Sequence, residues 1–239
     1  MTLNKFTLLC LLLELALGND LEFKLQEIPS PYCKNSCSFS EEYLNLITFT
    51  VLARIRPSDK RYKTFLSALK LMIDRNSYRL IETGSYRASD DKFCVRDGCG
   101  TLIFSQFAFL TDREFTSIDI DQETVEISRE AVSFFGDNTR LIWSDSIEYL
   151  SKINETIDFL YLDSFDYDEN SPELSQEHHL VEIMETYNKL HKDSIILLDD
   201  CNLPYEGKCK LVGEFLVENG WEKVMDEYQR IYLHKDSFL

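Results

Sequence analysis

The chain has 239 residues and a formal net charge of −17, from 25 Lys and Arg against 42 Asp and Glu. That length buries a sizeable core, and a 44% hydrophobic content excludes a disordered chain. The acidic balance is repelled by phosphate backbones, and the densest basic stretch, RPSDKRYK at 56–63, reads as a solvated helix junction too short to offset it, so no nucleic acid is expected as a partner.

In chain order, FTLLCLLLELALG (6–18) is apolar behind Lys5 but too short to span a bilayer. Leu9, Leu12, Leu13 and Ala16 recur at helical spacing, with Glu14 off that face. An amphipathic helix is preferred here, and a homodimer through the N-terminal helices is a further expectation. The alternative is a cleaved signal peptide and a secreted chain. No other segment is long and apolar enough to cross a membrane. Seven cysteines at irregular spacing do not form a disulfide framework, so reduced thiols in a cytoplasmic protein are expected. Cys33 and Cys37, four apart, are a weak hint of a bridge.

SFSEEYLNLITFTVLARI (38–55) opens with a Ser cap and acids and continues with helical apolar spacing. A second helix is predicted over 60–75, with Phe65, Leu69 and Met72 on one face. These segments make residues 1–77 an N-terminal helical extension. From Tyr78 the texture changes. Short apolar runs at 79–83, 115–120, 139–143, 157–162 and 194–199 alternate with amphipathic stretches, the pattern of right-handed βαβ units and a parallel sheet. In the helix predicted to follow the second run, Gly136 stands where a left-handed C-terminal residue belongs. In the helix before the fifth, Leu180, Ile183, Met184, Tyr187 and Leu190 form the apolar stripe. WEKVMDEYQRIYLH (221–234) reads as a terminal hairpin. The fold class is therefore α/β, a doubly wound, mostly parallel Rossmann-like sheet over 78–239, with a C-terminal antiparallel hairpin and extra N-terminal helices.

Ligands of open parallel sheets bind outside the carboxyl ends of the strands. All five predicted strands end in carboxylates: Glu82 before Gly84, Asp119 and Asp121, Asp145 between two serines, Asp163, and Asp199 with Asp200. Gly84 would let backbone approach a ligand. Asp119, still inside its apolar run, would be held rigidly enough to accept both hydroxyls of a ribose, with Asp121 capping the next helix. Asp145 would accept from an adenine amino group.

Residues IETGS (81–85), SIDID (117–121), WSDS (143–146) and FLYLDS (159–164) together resemble a class I S-adenosylmethionine-dependent methyltransferase. The resemblance covers about Tyr78 to His234. It is nearest to a subgroup in which ETG is followed by an Arg, acids and a second glycine-bearing turn, then LYLDSFD, HH, DD and GK. Here these are ETGSYRASDD (82–91), RDGCGTLIF (96–104), LYLDSFD (160–166), His178-His179, Asp199-Asp200 and Gly207-Lys208. Tyr86 and Arg87 replace the small residues of the usual glycine motif.

The resemblance implies an S-adenosyl-L-methionine cofactor held by Glu82, Gly84, Ser85, Gly98, Thr101, Asp119, Asp145, Ser146 and Asp163. Asp163, His178, His179 and Asp199 are the implied catalytic set, with one histidine as general base. Catechol-type relatives add magnesium, for which Asp163 and Asp200 are the candidate ligands. Lys208 would bind an acidic acceptor or be merely solvated. The segment 85–100 would close as a lid. The expected activity is O- or N-methylation of a small molecule. The alternatives are a nucleotide-binding α/β enzyme and an inactive methyltransferase-like binding module.

Overall fold

The apolar runs become strands because they are rich in Ile, Leu and Phe, and all but the edge strand over 139–143 have buried residues on both faces. They are β1 (Arg79–Thr83), β2 (Glu114–Asp119), β3 (Thr139–Trp143), β4 (Ile157–Leu162) and β5 (Leu190–Leu198). The hairpin supplies β6 (Trp221–Asp226) and β7 (Arg230–His234). In this computed structural model, which describes residues 41–87, 94 and 99–238, they form one seven-stranded sheet in the order β3-β2-β1-β4-β5-β7-β6. β1 to β5 are parallel, and β7 runs antiparallel between β5 and β6. The chain winds outward from β1 to β3 and then crosses back to β4 on the other side of β1. The reversal leaves a crevice at the carboxyl ends of β1 and β4.

Alternation along the strands feeds two apolar layers. Leu80, Phe115, Phe159, Tyr161 and Leu197 face α1 (Glu41–Leu52), α2 (Tyr62–Asp74) and α3 (Gly100–Thr111). Phe104 is the hub of that layer, with ring centroids 4.9 Å from Phe159, 5.5 Å from Tyr161 and 5.6 Å from Phe65. Ile81, Leu160, Ile196 and Leu198 face the opposite layer of α5 (Ser146–Lys152), α6 (Pro172–Thr186) and α7 (Lys210–Glu218). α4 (Gln122–Val132) packs near the β3 edge.

Several expectations are corrected. α4 stops at Val132 and gives way to 3-10 turns over Ser133–Asn138, within which Gly136 has φ 65 and ψ −154, not a left-handed helical cap. α6 starts at Pro172, whose fixed φ suits a first helical position, so the histidine pair lies in its second turn and does not open it. Of the predicted stripe, Ile183 is buried and Leu180, Tyr187 and Leu190 pack against the same apolar layer, while Met184 is 56% exposed; the helix also buries the polar Ser175, Gln176, His179, Glu182 and Thr186. Reduced thiols are also overturned. Turns bring Cys94 to Cys99 and Cys201 to Cys209, with Cα separations of 5.3 and 5.0 Å, and both pairs are disulfides. The helix predicted around Leu9, Cys33 and Cys37, the Ser38 cap, Gly98 and the lid acids Asp90, Asp91 and Asp97 lie outside the described residues. Among the described residues no helix is long and apolar enough to cross a membrane.

Candidate functional site

A cleft of about 860 Å³ opens at the crevice, within the usual size range for small-molecule sites. Glu82, Gly84, Ser85, Thr101, Asp119, Asp145, Ser146, Asp163, His178 and Asp200 all line it. Register explains the gathering. Ser117, Glu82 and Tyr161 pair across β2, β1 and β4, so the residues two further along, Asp119 and Asp163, share the same face of the sheet.

Gly84 is required by the packing of the strand ends. Its φ is +84, and a Cβ would overlap the Asp163 carbonyl and lie 3.0 Å from the Ser164 nitrogen. The close approach in the structure is to the end of β4, and Gly84 also lines the cleft. Gly100 plays the comparable part at the start of α3, where a Cβ would collide with the Glu82 carboxylate and lie 2.7 Å from the Tyr161 ring. Glu82 is thereby tucked under the helix start, 1% exposed, accepting from Thr101 Oγ1 at 2.6 Å and Ser117 Oγ at 2.7 Å.

Burial pushes Glu82 up to about 8, against the two hydroxyl donors, with Asp163 and Asp119 adding to the rise. The folded protein therefore keeps a proton that the unfolded chain releases near its ordinary value of 4.5. Stability is fully present below that value and falls as pH rises toward about 8. Glu82→Gln keeps an acceptor oxygen but cannot ionise. It is expected to flatten this loss, read as urea midpoints that differ less between about pH 5 and about pH 8 than those of the wild type.

Asp119 ends β2 with both oxygens fixed: Oδ1 accepts from Asp121 N at 2.9 Å and Oδ2 from Ser85 N at 2.8 Å. Asp121 caps α4 by accepting from Glu123 N at 2.8 Å. Asp145 caps α5, accepting from Glu148 N at 2.9 Å. Beyond Gly84, Tyr86 N donates to Thr101 Oγ1 at 2.8 Å. Arg87 then reaches the Asp166 carboxylate with two bonds of 2.7 and 3.0 Å. Both partners are more than half exposed, so this fork fixes geometry more than it adds stability.

The far wall is a charged network. Lys208, 3% exposed, donates to Asp163 Oδ1 at 3.0 Å and the Ser164 carbonyl at 3.2 Å, and its Nζ lies 3.2 Å from Asp200 Oδ2. Three acceptors match the three N–H bonds of an ammonium. Burial disfavours the charge on Lys208, but Asp163, Asp200 and Asp199 outweigh it and hold its pKa above the usual lysine range. Burial and Asp199 push Asp163 upward against the pull of Lys208. Burial also works to raise Asp200, yet Lys208 and Tyr228 hold it low.

The magnesium expectation is corrected here. The point between Asp163 and Asp200 is taken by a resident ammonium, and Cys201, next in sequence, is bound to Cys209. Among the described residues no group of three or more His, Cys, Asp or Glu is arranged to hold a metal. The donor set does not fit a divalent ion, because the two carboxylates that would hold it converge on a cation already in place.

Asp199 and His179 do not reach the cleft. Asp199, fully buried, takes Arg61 Nε at 2.9 Å and Tyr161 Oη at 2.9 Å. Arg61 itself is 4% exposed, so the stretch read as a solvated junction supplies a buried ion pair. His179 is 2% exposed, its Nδ1 against the Ser175 carbonyl at 2.8 Å, and burial lowers it to about 4. His178 lines the cleft beside Ser146, with Nε2 3.3 Å from Ser146 Oγ and 3.4 Å from Glu182 Oε1. Burial opposes its charge, but Glu182 outweighs this and raises its pKa. Arg61, Ser117, Tyr161, Glu182 and Tyr228 were not predicted. Three left a signal in the spacing: Glu182, one helical turn beyond His178, and Ser117 and Tyr161, each two residues before a strand-end acid on the same face.

No protein-family model matches the chain, and no curated protein matches it by sequence. Solved structures do match in fold. The S-adenosylhomocysteine (SAH)-bound methyltransferase PaMTH1 of Podospora anserina superposes with a TM-score of 0.54 at 17% identity, over 85% of this chain and 92% of that one. An O-methyltransferase from Bacillus cereus in complex with SAH gives 0.50 at 10% identity, over 82% and 92%. NSun6 from Pyrococcus horikoshii with SFG gives 0.50 at 13%, over 69% of this chain and 49% of that one. The fold is the Rossmann-like methyltransferase fold.

Proposed function

We propose that this chain is an S-adenosylmethionine-dependent methyltransferase acting on a small-molecule oxygen or nitrogen. Asp119 carries the reading: a carboxylate at the end of β2, fixed by two backbone N–H groups and facing the cleft at the point where strand order reverses. The donor set fits the cofactor. Asp119 would take the ribose hydroxyls, Asp145 and Ser146 the adenine side, and the backbone at the start of α3, beside Thr101, the methionine carboxylate. When bound, the cofactor supplies an electrophilic methyl group on a sulfonium.

The chain's own groups position the acceptor and take its proton. Asp163 lines the cleft, and burial and Asp199 raise its proton affinity, while Lys208 stabilises its ionised form. It is assigned the proton. His178 is assigned to holding the adenine-side wall, because Nε2 is engaged by Ser146 and Glu182. Acids at the cleft, Asp121, Asp145 and Asp166, support a small acceptor over a phosphate-rich polymer.

Titration calorimetry tests the reading. SAH should bind at one site per chain and NAD should not. NAD binding in its place would favour a nucleotide-binding enzyme, which uses the same acid for a ribose. Because Lys208 fills the would-be metal position, manganese added to the protein should keep its free-ion paramagnetic resonance signal. Signal loss that Asp200→Asn restores would bring the metal back.

A further inference from the structure

The two disulfides stand at the two flanks of the cleft. Cys99 immediately precedes Gly100 and so anchors the start of α3, where Glu82 and Thr101 meet. Cys201 follows Asp200 and Cys209 follows Lys208, so the second bond closes the loop that presents this carboxylate and this ammonium to each other. All four sulfur-bearing residues are 2% exposed or less. The loop is also unusual in backbone: Asp200, Tyr205 and Glu206 have φ of 55, 56 and 65, a region that residues with a Cβ seldom adopt without restraint.

The cysteine count fits the same picture. Of seven, Cys10 lies in the apolar stretch 6–18, and the other six fall as close pairs: 33 and 37, 94 and 99, 201 and 209. If the leader is removed as a signal peptide, an even set remains. Paired cysteines of this kind belong to oxidising compartments.

We propose that this chain matures in a thiol-oxidising compartment and that the Cys201–Cys209 disulfide is a redox lock holding Lys208 between Asp163 and Asp200. Each bond forms as two thiols give up two protons and two electrons to a disulfide-exchange oxidant such as glutathione disulfide. The ring is short, so its effect is local: it fixes the loop more than it raises global stability. Reduction frees the Asp200–Lys208 segment and loosens the wall opposite the cofactor side. The cytoplasmic expectation gives way to its secreted alternative. This inference does not depend on methyl transfer, since the oxidation state is read from mass alone.

The test uses the full chain, equilibrated in a glutathione buffer with the balance of the secretory lumen, alkylated and digested without reductant. Mass spectrometry should find Cys94 linked to Cys99 and Cys201 linked to Cys209. Alkylated free thiols at these positions would overturn the proposal. Amide hydrogen exchange over 200–210 should then speed up at least tenfold on reduction while β1 and β4 stay protected. The Cys201→Ser/Cys209→Ser double variant should match the reduced wild type. Unchanged exchange in both would remove the lock. Fractionation of eukaryotic cells expressing the chain should place it in the lumen or medium, and a purely cytosolic product would contradict the compartment.

Discussion

Asp119→Ala is expected to weaken S-adenosylmethionine binding by about 1.5–3 kcal/mol, the usual worth of a hydrogen bond to a charged group. That is roughly a ten- to 150-fold loss of affinity. The effect has two parts. The ribose hydroxyls lose a charged acceptor, and the Ser85 and Asp121 N–H groups that held it lose their partner. Asp119→Asn keeps one acceptor oxygen without the charge, so it should fall between wild type and Ala. Titration calorimetry on variants with native circular dichroism separates lost contact from lost fold. Wild-type affinity in Asp119→Ala would sink the ribose assignment.

The second large effect is on stability. Lys208→Ala removes the buried ammonium that Asp163, Asp200 and the Ser164 carbonyl share, leaving Arg61 as the other cation of the network. Breaking a buried pair from one side costs about 3–5 kcal/mol, because the stranded carboxylates stay desolvated. The pH dependence has a definite sign. Without Lys208 the Asp163 pKa rises further, so the variant takes up protons on folding and recovers stability as pH falls. The deficit should be largest near neutral pH and shrink toward about pH 5. Urea unfolding at both pH values reads it. A loss below about 1 kcal/mol at neutral pH would mean that Lys208 is solvated, as an exposed lysine is.

Local signals and long-range ones differed in legibility. The five parallel strands were readable because each is a short apolar run ending in an acid, and a parallel sheet puts all those ends on one edge. Hence Glu82, Asp119, Asp145 and Asp163 could be placed at one cleft from spacing alone. The pairings that complete the site were not. Arg61 meets Asp199 across 138 residues of sequence and Lys208 meets Asp163 across 45, and no local period encodes either. The polar part of α6 was illegible for a related reason. Beside the apolar stripe the helix buries Gln176, His179 and Glu182, whose partners include the loop residues Ser164, Tyr205 and Gly207. Gln176 donates to the carbonyls of Tyr205 and Gly207 at 3.1 and 2.8 Å, contacts that exist only once the loop before α7 is folded. The cysteines looked irregular because turns, rather than sequence motifs, bring them together.

Of the segment 85–100 expected to close as a lid, Tyr86 and Arg87 line the cleft and Cys94 is bonded to Cys99 at the start of α3, while 88–93 and 95–98 lie outside the described residues. Arg87, at the start of that segment, spans to Asp166 on the β4 side.

The central claim is that the crevice between β1 and β4 holds S-adenosylmethionine. A crystal structure of the oxidised full chain grown with SAH tests it most directly. Ligand density is expected in that crevice with the ribose hydroxyls on Asp119, the adenine beside Asp145 and Ser146, and Lys208 still bridging Asp163 and Asp200. Density for SAH elsewhere, or a crevice that stays without ligand at saturating concentration, would contradict it.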